Sequence, residues 1–500
     1  MQKKQTILVV ASLLVVVLSV TLAYFTAQII GKGKDVSVSS ADLKIVFTDT
    51  DGNIEGNGIT PGWGDTKTFT IENKSNETYK YNIVIQDLIN TFVTKGYLQY
   101  KITSTNGGYN MTEFKDVPKS DTAKDKILAY SVSIPVGVTQ SYTVEFKYAN
   151  DESVDQSDDM GRKLSGKLFI TEGTEQLTLL SQILKDNPTR NTRDTYDSVF
   201  TNNTTGTLFT ATEKNVHNIT DTTVYYYAGN TTNNWVKFAG FYWRIIRTNH
   251  DSSIRLLYVG TSPDTTSGNI GEGNFNSSYN SPKYVGYKYG EDTSLDTIRN
   301  NTTDSKIKTY VDNWYKNNLI NYTKYLSTSA VYCNDRSLGT GQTYSTNSLF
   351  EFASYYRMDY NTNGAKANPS YNCTDRRDAF SVDNTSAKLT YPVSLMTTDE
   401  MAFAGGVAYI KTNTSYAWFI SNSAGSQVSS SWWSLSPDGW NGARSCVWRW
   451  DSDNAYLNIV DVGIDDAVRP VLSLKSCIKY STGNGSSETP YEIVETSSGC

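Results

Sequence analysis

The positions of cysteine, histidine and carboxylate residues limit the chemistry open to this chain. Its five cysteines, Cys333, Cys373, Cys446, Cys477 and Cys500, all lie beyond residue 330. None forms a Cys-x-x-Cys spacing, and His217 and His250 are the only histidines, so a soft-metal centre is not indicated. Cys333 and Cys373 sit in polar loops, VYCND and YNCTD, and read as a disulfide of an exported protein. Cys477 and Cys500 bracket a tail with a Gly483-Asn484-Gly485-Ser486 turn and a short strand around Tyr491, which a second disulfide would staple; Cys446 is then single. Both histidines fall in polar stretches and read as solvated.

Carboxylates are the second inventory. Asp451, Asp453, Asp465 and Asp466 crowd one segment as candidate calcium ligands, although capping of turns between strands is the simpler reading. The acidic run Asp151–Asp159 reads the same way. Paired carboxylates for glycoside hydrolysis stay open, because separation in space is not visible in a sequence. The spacings GxSxG, HExxH, GxGxxG and the Walker loop are absent, so no cofactor is called for and no catalytic set emerges. A net charge of −6 with no basic run gives no electrostatic reason to expect nucleic acid.

Aromatic residues supply the third inventory. Trp432, Trp433, Trp440, Trp448 and Trp450 crowd into Ser431–Leu474, among short turn-forming residues. Such a segment reads as short strands folded around one aromatic core. Adjacent residues of a strand face opposite sides, so Trp432 is assigned to the core and Trp433 to a surface. Trp433, Trp440, Trp450 and Arg449 are therefore the candidate binding face, since flat rings stack on sugars and anchor protein partners. Arg469, before Pro470, reads as a structural donor tying loops together.

These residues need a scaffold and an address. Lys3 and Lys4 precede an uncharged run to Gly31, long enough for a membrane helix or a secretory signal with a cut after Ala23. Segment 1–31 is thus a membrane anchor or cleaved signal, and the rest is exported. Residues 38–173 alternate apolar and polar side chains, as in Tyr142, Val144, Phe146 and Tyr148, and predict an all-β sandwich, jelly-roll or immunoglobulin-like. Segment 174–223 reads as a linker helix ending at Asn187-Pro188 and a loosely packed connector rich in Thr and Asn. Residues 224–476 predict a loop-rich α+β head. In it Ile307, Tyr310, Val311, Trp314 and Tyr315 form one helix face, and Thr397–Glu400 caps a helix stopped by Gly405-Gly406. Residues 477–500 form a hairpin tail.

Two resemblances add to this reading. The passages TLAYFTAQI, SADLKIVF and ITPGWGDTKTFTIENKSNETYKYNIVI resemble the start of the TasA and camelysin family, exported jelly-roll proteins of Gram-positive biofilms and surfaces. The pieces VKFAGFYWRIIR, YVGYKYG, SKIKTYVDNWYKNNL, AVYCNDRS, LTYPVSLMTTDEMAFAGG, SSWWSLSP and AVRPVLSL resemble a Gram-positive surface-protein family on the formylglycine-generating-enzyme and C-type-lectin-like scaffold. The second resemblance implies a lectin-like head but no particular reaction. Formylglycine-generating enzymes carry two copper-binding cysteines near the position of Cys446; here the second is missing, and one thiolate cannot build the two-coordinate copper(I) site. The chain is therefore expected to be a surface-displayed, non-catalytic binder of a glycan or protein. A structural surface or matrix subunit is the second expectation, and an enzyme on the head scaffold the third.

Overall fold

The structure is a computed structural model. It describes residues 35–40, 43–49, 54–56, 59–94, 96–173, 176–358, 367–412, 418–428, 430–496 and 498–500. The expected anchor or signal, 1–31, lies outside them. No helix among the described residues is long and apolar enough to cross a membrane. The chain divides into two compact units, Met1–Gln176 and Leu177–Cys500.

The first unit is a β-sandwich. One sheet holds β1 (Asp35–Ser40), β2 (Leu43–Asp49), β4 (Gly64–Asn73), β9 (Thr139–Tyr148), β6 (Leu98–Ser104) and β7 (Lys115–Asp116), in that order. The other runs β3 (Ile54–Gly56), β10 (Leu164–Glu172), β5 (Tyr79–Asn90), β8 (Ser120–Ile134). Pairing is antiparallel throughout both sheets, mostly between strands far apart in sequence. Period-two alternation aims Phe69 and Ile71, and Tyr142, Val144, Phe146 and Tyr148, into the core, where they meet Tyr81, Ile83, Ile85, Leu168 and Ile170. The acidic loop is a staple: buried Asp159 accepts from the Val93 and Thr94 amides and from the Tyr148 hydroxyl, so its lone pairs are already filled.

The second unit carries the larger core. Helix α1 (Leu179–Asp186) is capped by Thr178, and buries Leu179 and Ile183 in this core. It is therefore part of the head, not a free linker. The expected loose connector is also replaced by structure. β11 (Thr189–Asn191), β12 (Thr207–Asn215) and β13 (Asn218–Tyr226) continue into β15 (Phe241–Thr248), β14 (Trp235–Phe238) and the C-terminal strands Tyr491–Ile493 and Tyr480–Thr482. The physical reason is that threonine suits a half-exposed strand as well as a loop. Val224 and Tyr226 face a small core with Phe209, Tyr225 between them packs on the larger core, and Thr220, Asp221 and Thr223 earlier in the strand are exposed. The tail joins the same sheet, with Tyr491–Ile493 parallel to β14.

Helix α2 (Lys306–Asn318) presents Ile307, Val311 and Tyr315 fully buried, with Tyr310 and Trp314 packed beside them, as the spacing predicts. Helix α3 (Thr398–Ala404) opens on a capping box between Thr397 and Glu400 and ends at Gly405, whose φ of 122° only glycine adopts readily. A second sheet is built around Trp432–Trp440, which pairs with Ser445–Asp451 and with Phe350–Glu351.

Candidate functional site

The tryptophan hairpin positions its residues clearly, but not at a surface. Register pairs Trp432 with Trp450, Trp433 with Arg449 and Trp440 with Ser445. Both faces of this strand are covered. Trp432, Trp433 and Trp450 are 0% exposed and Trp440 is 4% exposed. The expected binding face of Trp433, Trp440 and Trp450 is thereby corrected. Opposite-facing neighbours end at solvent only if one sheet face is bare, and here each face packs on the same core. The Trp433 indole donates to the Gly273 carbonyl at 2.6 Å, and Phe419 packs edge-on against Trp432 and Trp450. Gly439 is required where the strand meets its neighbour, since a Cβ there would lie 2.5 Å from the Phe350 carbonyl oxygen.

Arg449 is likewise internal to the protein's own bonding. Its guanidinium donates to Asp451 at 3.0 Å and to Asp466 at 3.1 Å. The cation between these two calcium candidates is thus an arginine. Asp451 also accepts from Asp453 and Asn454 amides and the Asn454 and Asn458 side chains, which leaves no lone pair for a metal. Burial works against its charge, but these donors hold it at about 2. Asp466 moves the other way: burial lifts it to about 6 despite Arg449. Asp453 is exposed at the turn, and Asp465 is exposed and accepts from Asn274 at 2.8 Å. These acids tie turns together. Among the described residues no group of three or more His, Cys, Asp or Glu is placed to hold a metal.

Arg469, 1% exposed, donates to the Phe419 and Tyr258 carbonyls and lies 4.8 Å over the Trp432 ring, while Pro470 opens the strand Pro470–Leu474. Disulfides join Cys333 to Cys373 and Cys477 to Cys500. Cys446 is a free, half-buried thiol that burial, with Asp438 and Asp461, pushes up to about 12. Such a thiol is protonated at neutral pH and is neither a nucleophile nor a soft ligand.

His217 is exposed, as its polar loop implies, but His250 departs from that expectation. His250 has a side chain only 7% exposed, and its ring stacks on exposed His217 at 6.0 Å. Beside it runs a buried chain of charges. Arg247 donates to Glu213 at 2.7 Å and to Glu400 at 3.0 Å, and Arg255 donates to Glu400 at 2.5 Å. The cleft over this chain offers only about 10 Å³, room for one water and no substrate.

The large concavity lies elsewhere. β11 and β12 pair in parallel, Thr189 with Thr207 and Asn191 with Phe209, so segment 192–206 must leave the sheet and return beside its own start. The space it encloses is a groove of about 880 Å³. Arg193 anchors one wall: it donates to the Phe403 and Ala402 carbonyls at the end of α3, and stacks 4.5 Å over both Tyr196 and Phe200. The other wall is pinned by the Asn230 amide on the Asn202 carbonyl at 3.0 Å and by Thr204 on Ala228. Phe209 forms the floor. The side chains of Thr192, Asp194, Ser198 and Asn202 line this groove, are exposed, and bond to no other described residue. Sequence reading assigned this stretch to a connector, because Thr- and Asn-rich polar residues look alike in a loop and in a groove wall. No protein-family model, curated protein or solved structure matches this chain.

Proposed function

We propose that the chain is an exported, surface-displayed binding protein whose head holds a neutral, hydroxyl-rich ligand, a glycan, in the groove between residues 191 and 209. The observation that carries this reading is the groove itself. Its size suits a ligand of a few sugar rings. Hydroxyl, amide and single carboxylate groups that bond to no other described residue are the donors and acceptors a polyol needs, and the backbone behind them is already fixed, so little ordering cost remains. Two disulfides accord with an oxidising, extracytoplasmic address. The likeness of the head's motifs to a lectin-like scaffold supports binding by analogy only. A catalytic reading has less support: the one free thiol is protonated, and the buried carboxylates Glu213 and Glu400 are saturated by arginines.

The test is a glycan array probed with the whole protein, followed by calorimetry on any hit. Asp194→Ala with Asn202→Ala removes two polar contacts worth about 1 kcal/mol each, and should weaken binding at least tenfold. Undiminished affinity in that double variant would place the ligand elsewhere and overturn the assignment.

A further inference from the structure

Lys308 is the one lysine whose side chain is wholly enclosed among the described ion pairs, at 0% exposure. Its position follows from α2. Ile307, Val311 and Tyr315 lock that helix face into the core, and Ser305 caps the helix by accepting from the Lys308 amide at 3.1 Å. Residues four apart lie one above the other on a helix, so Lys308 and Asp312 share a face. The Lys308 Nζ stands 2.6 Å from Asp312 Oδ2 and 3.1 Å from Asp304 Oδ2. Lys288 holds the other Asp304 oxygen at 2.8 Å. Asp312 Oδ1 is buried and carries no hydrogen bond, an uncommon state for a carboxylate oxygen.

A settled buried carboxylate usually has donors on both oxygens, and Asp312 has one on Oδ2 alone. Here burial, with the charge of Asp304, raises Asp312 above the usual carboxylate range even against Lys308. Asp304 is held below that range by Lys288 and Lys308 and stays ionised. One enclosed lysine nitrogen, one carboxyl group in contact with it and a second carboxylate beside both make an amide-forming set.

We propose that Lys308 and Asp312 join in an intramolecular isopeptide bond, with Asp304 as the base that moves the protons. Within the desolvated pair the Lys308 ammonium gives one proton to Asp312 Oδ2, leaving an amine and a neutral carboxyl. The amine attacks Asp312 Cγ. Asp304 takes the acidic proton from the nitrogen of that adduct and returns it to the hydroxyl, so the carbon–oxygen bond breaks and water leaves. Ammonium and carboxylate become an amide and one water, with no oxidant or other reagent. The product is a brace across one turn of α2.

Peptide mass spectrometry on the reduced, denatured protein reads this directly. Trypsin is expected to leave the bond after Lys308 uncut, and the peptide 307–316 should be lighter by one water. Lys308→Arg and Asp312→Ala should each abolish that deficit. Asp304→Asn should slow its appearance in newly synthesised protein, followed by pulse labelling, at least tenfold. The proposal is overturned by a wild-type peptide cut normally at Lys308 with its full mass, or by a deficit that persists in Lys308→Arg. An unchanged rate in Asp304→Asn would overturn the assigned base.

Discussion

Arg449, placed by sequence reading on a binding face, holds two acids apart instead. Its environment makes stability depend on pH with two opposite signs. Asp466 is raised to about 6, above its unfolded value of about 4, so the folded state keeps that proton more tightly. Its contribution is full below about pH 4 and is lost as pH rises through about 6. Asp451, lowered to about 2, contributes above about pH 4 and loses that contribution as pH falls towards 2. Asp466→Asn should therefore flatten the stability profile between pH 4 and 6.5 by about 2 kcal/mol, measured by urea titration. Arg449→Met leaves the two carboxylates unscreened and should cost about 3–5 kcal/mol at pH 7. Cys446 has about a thousandfold less thiolate than an unperturbed thiol. Iodoacetamide at pH 8 should label it very slowly in the folded protein and normally in urea.

The tryptophan hairpin at the element scale is a core element, and its burial makes it a stability determinant. Trp450→Ala should cost about 3–5 kcal/mol, since the cavity is lined by rings that cannot collapse into it. Trp433→Phe keeps most of the volume but strands the Gly273 carbonyl, and should cost about 1–2 kcal/mol. Equilibrium unfolding in urea checks both. The hairpin was legible as an element from its aromatic density and turn residues. Which face was covered was not, because alternation reports sidedness and says nothing of what lies on each side. β12 and β13 show the reverse case. Their Thr-rich sequence lacks a strong apolar period, and only pairing with β15 and contact with Phe403 make them strands of the head.

All five cysteines belong to the second unit. Reduction removes the Cys333–Cys373 crosslink, which spans 40 residues and is worth about 3–4 kcal/mol. In differential scanning calorimetry, reductant should lower the melting of Leu177–Cys500 by several degrees and leave that of the sandwich unchanged. A matching fall in both transitions would contradict the division.

Several things were set by the sequence alone. The period-two sandwich, the apolar face of α2, the capping box at Thr397 and the two cysteine pairings all depend on near neighbours or on a short inventory of partners, and local patterns carry such information. Only the tertiary structure decided that the tryptophans are enclosed, that an arginine stands between the calcium candidates, that His217 meets His250, and that residues 192–206 wall a groove. Each of these turns on which distant segments arrive at the same place, and burial, desolvation and charge pairing are properties of that meeting rather than of any one stretch of chain.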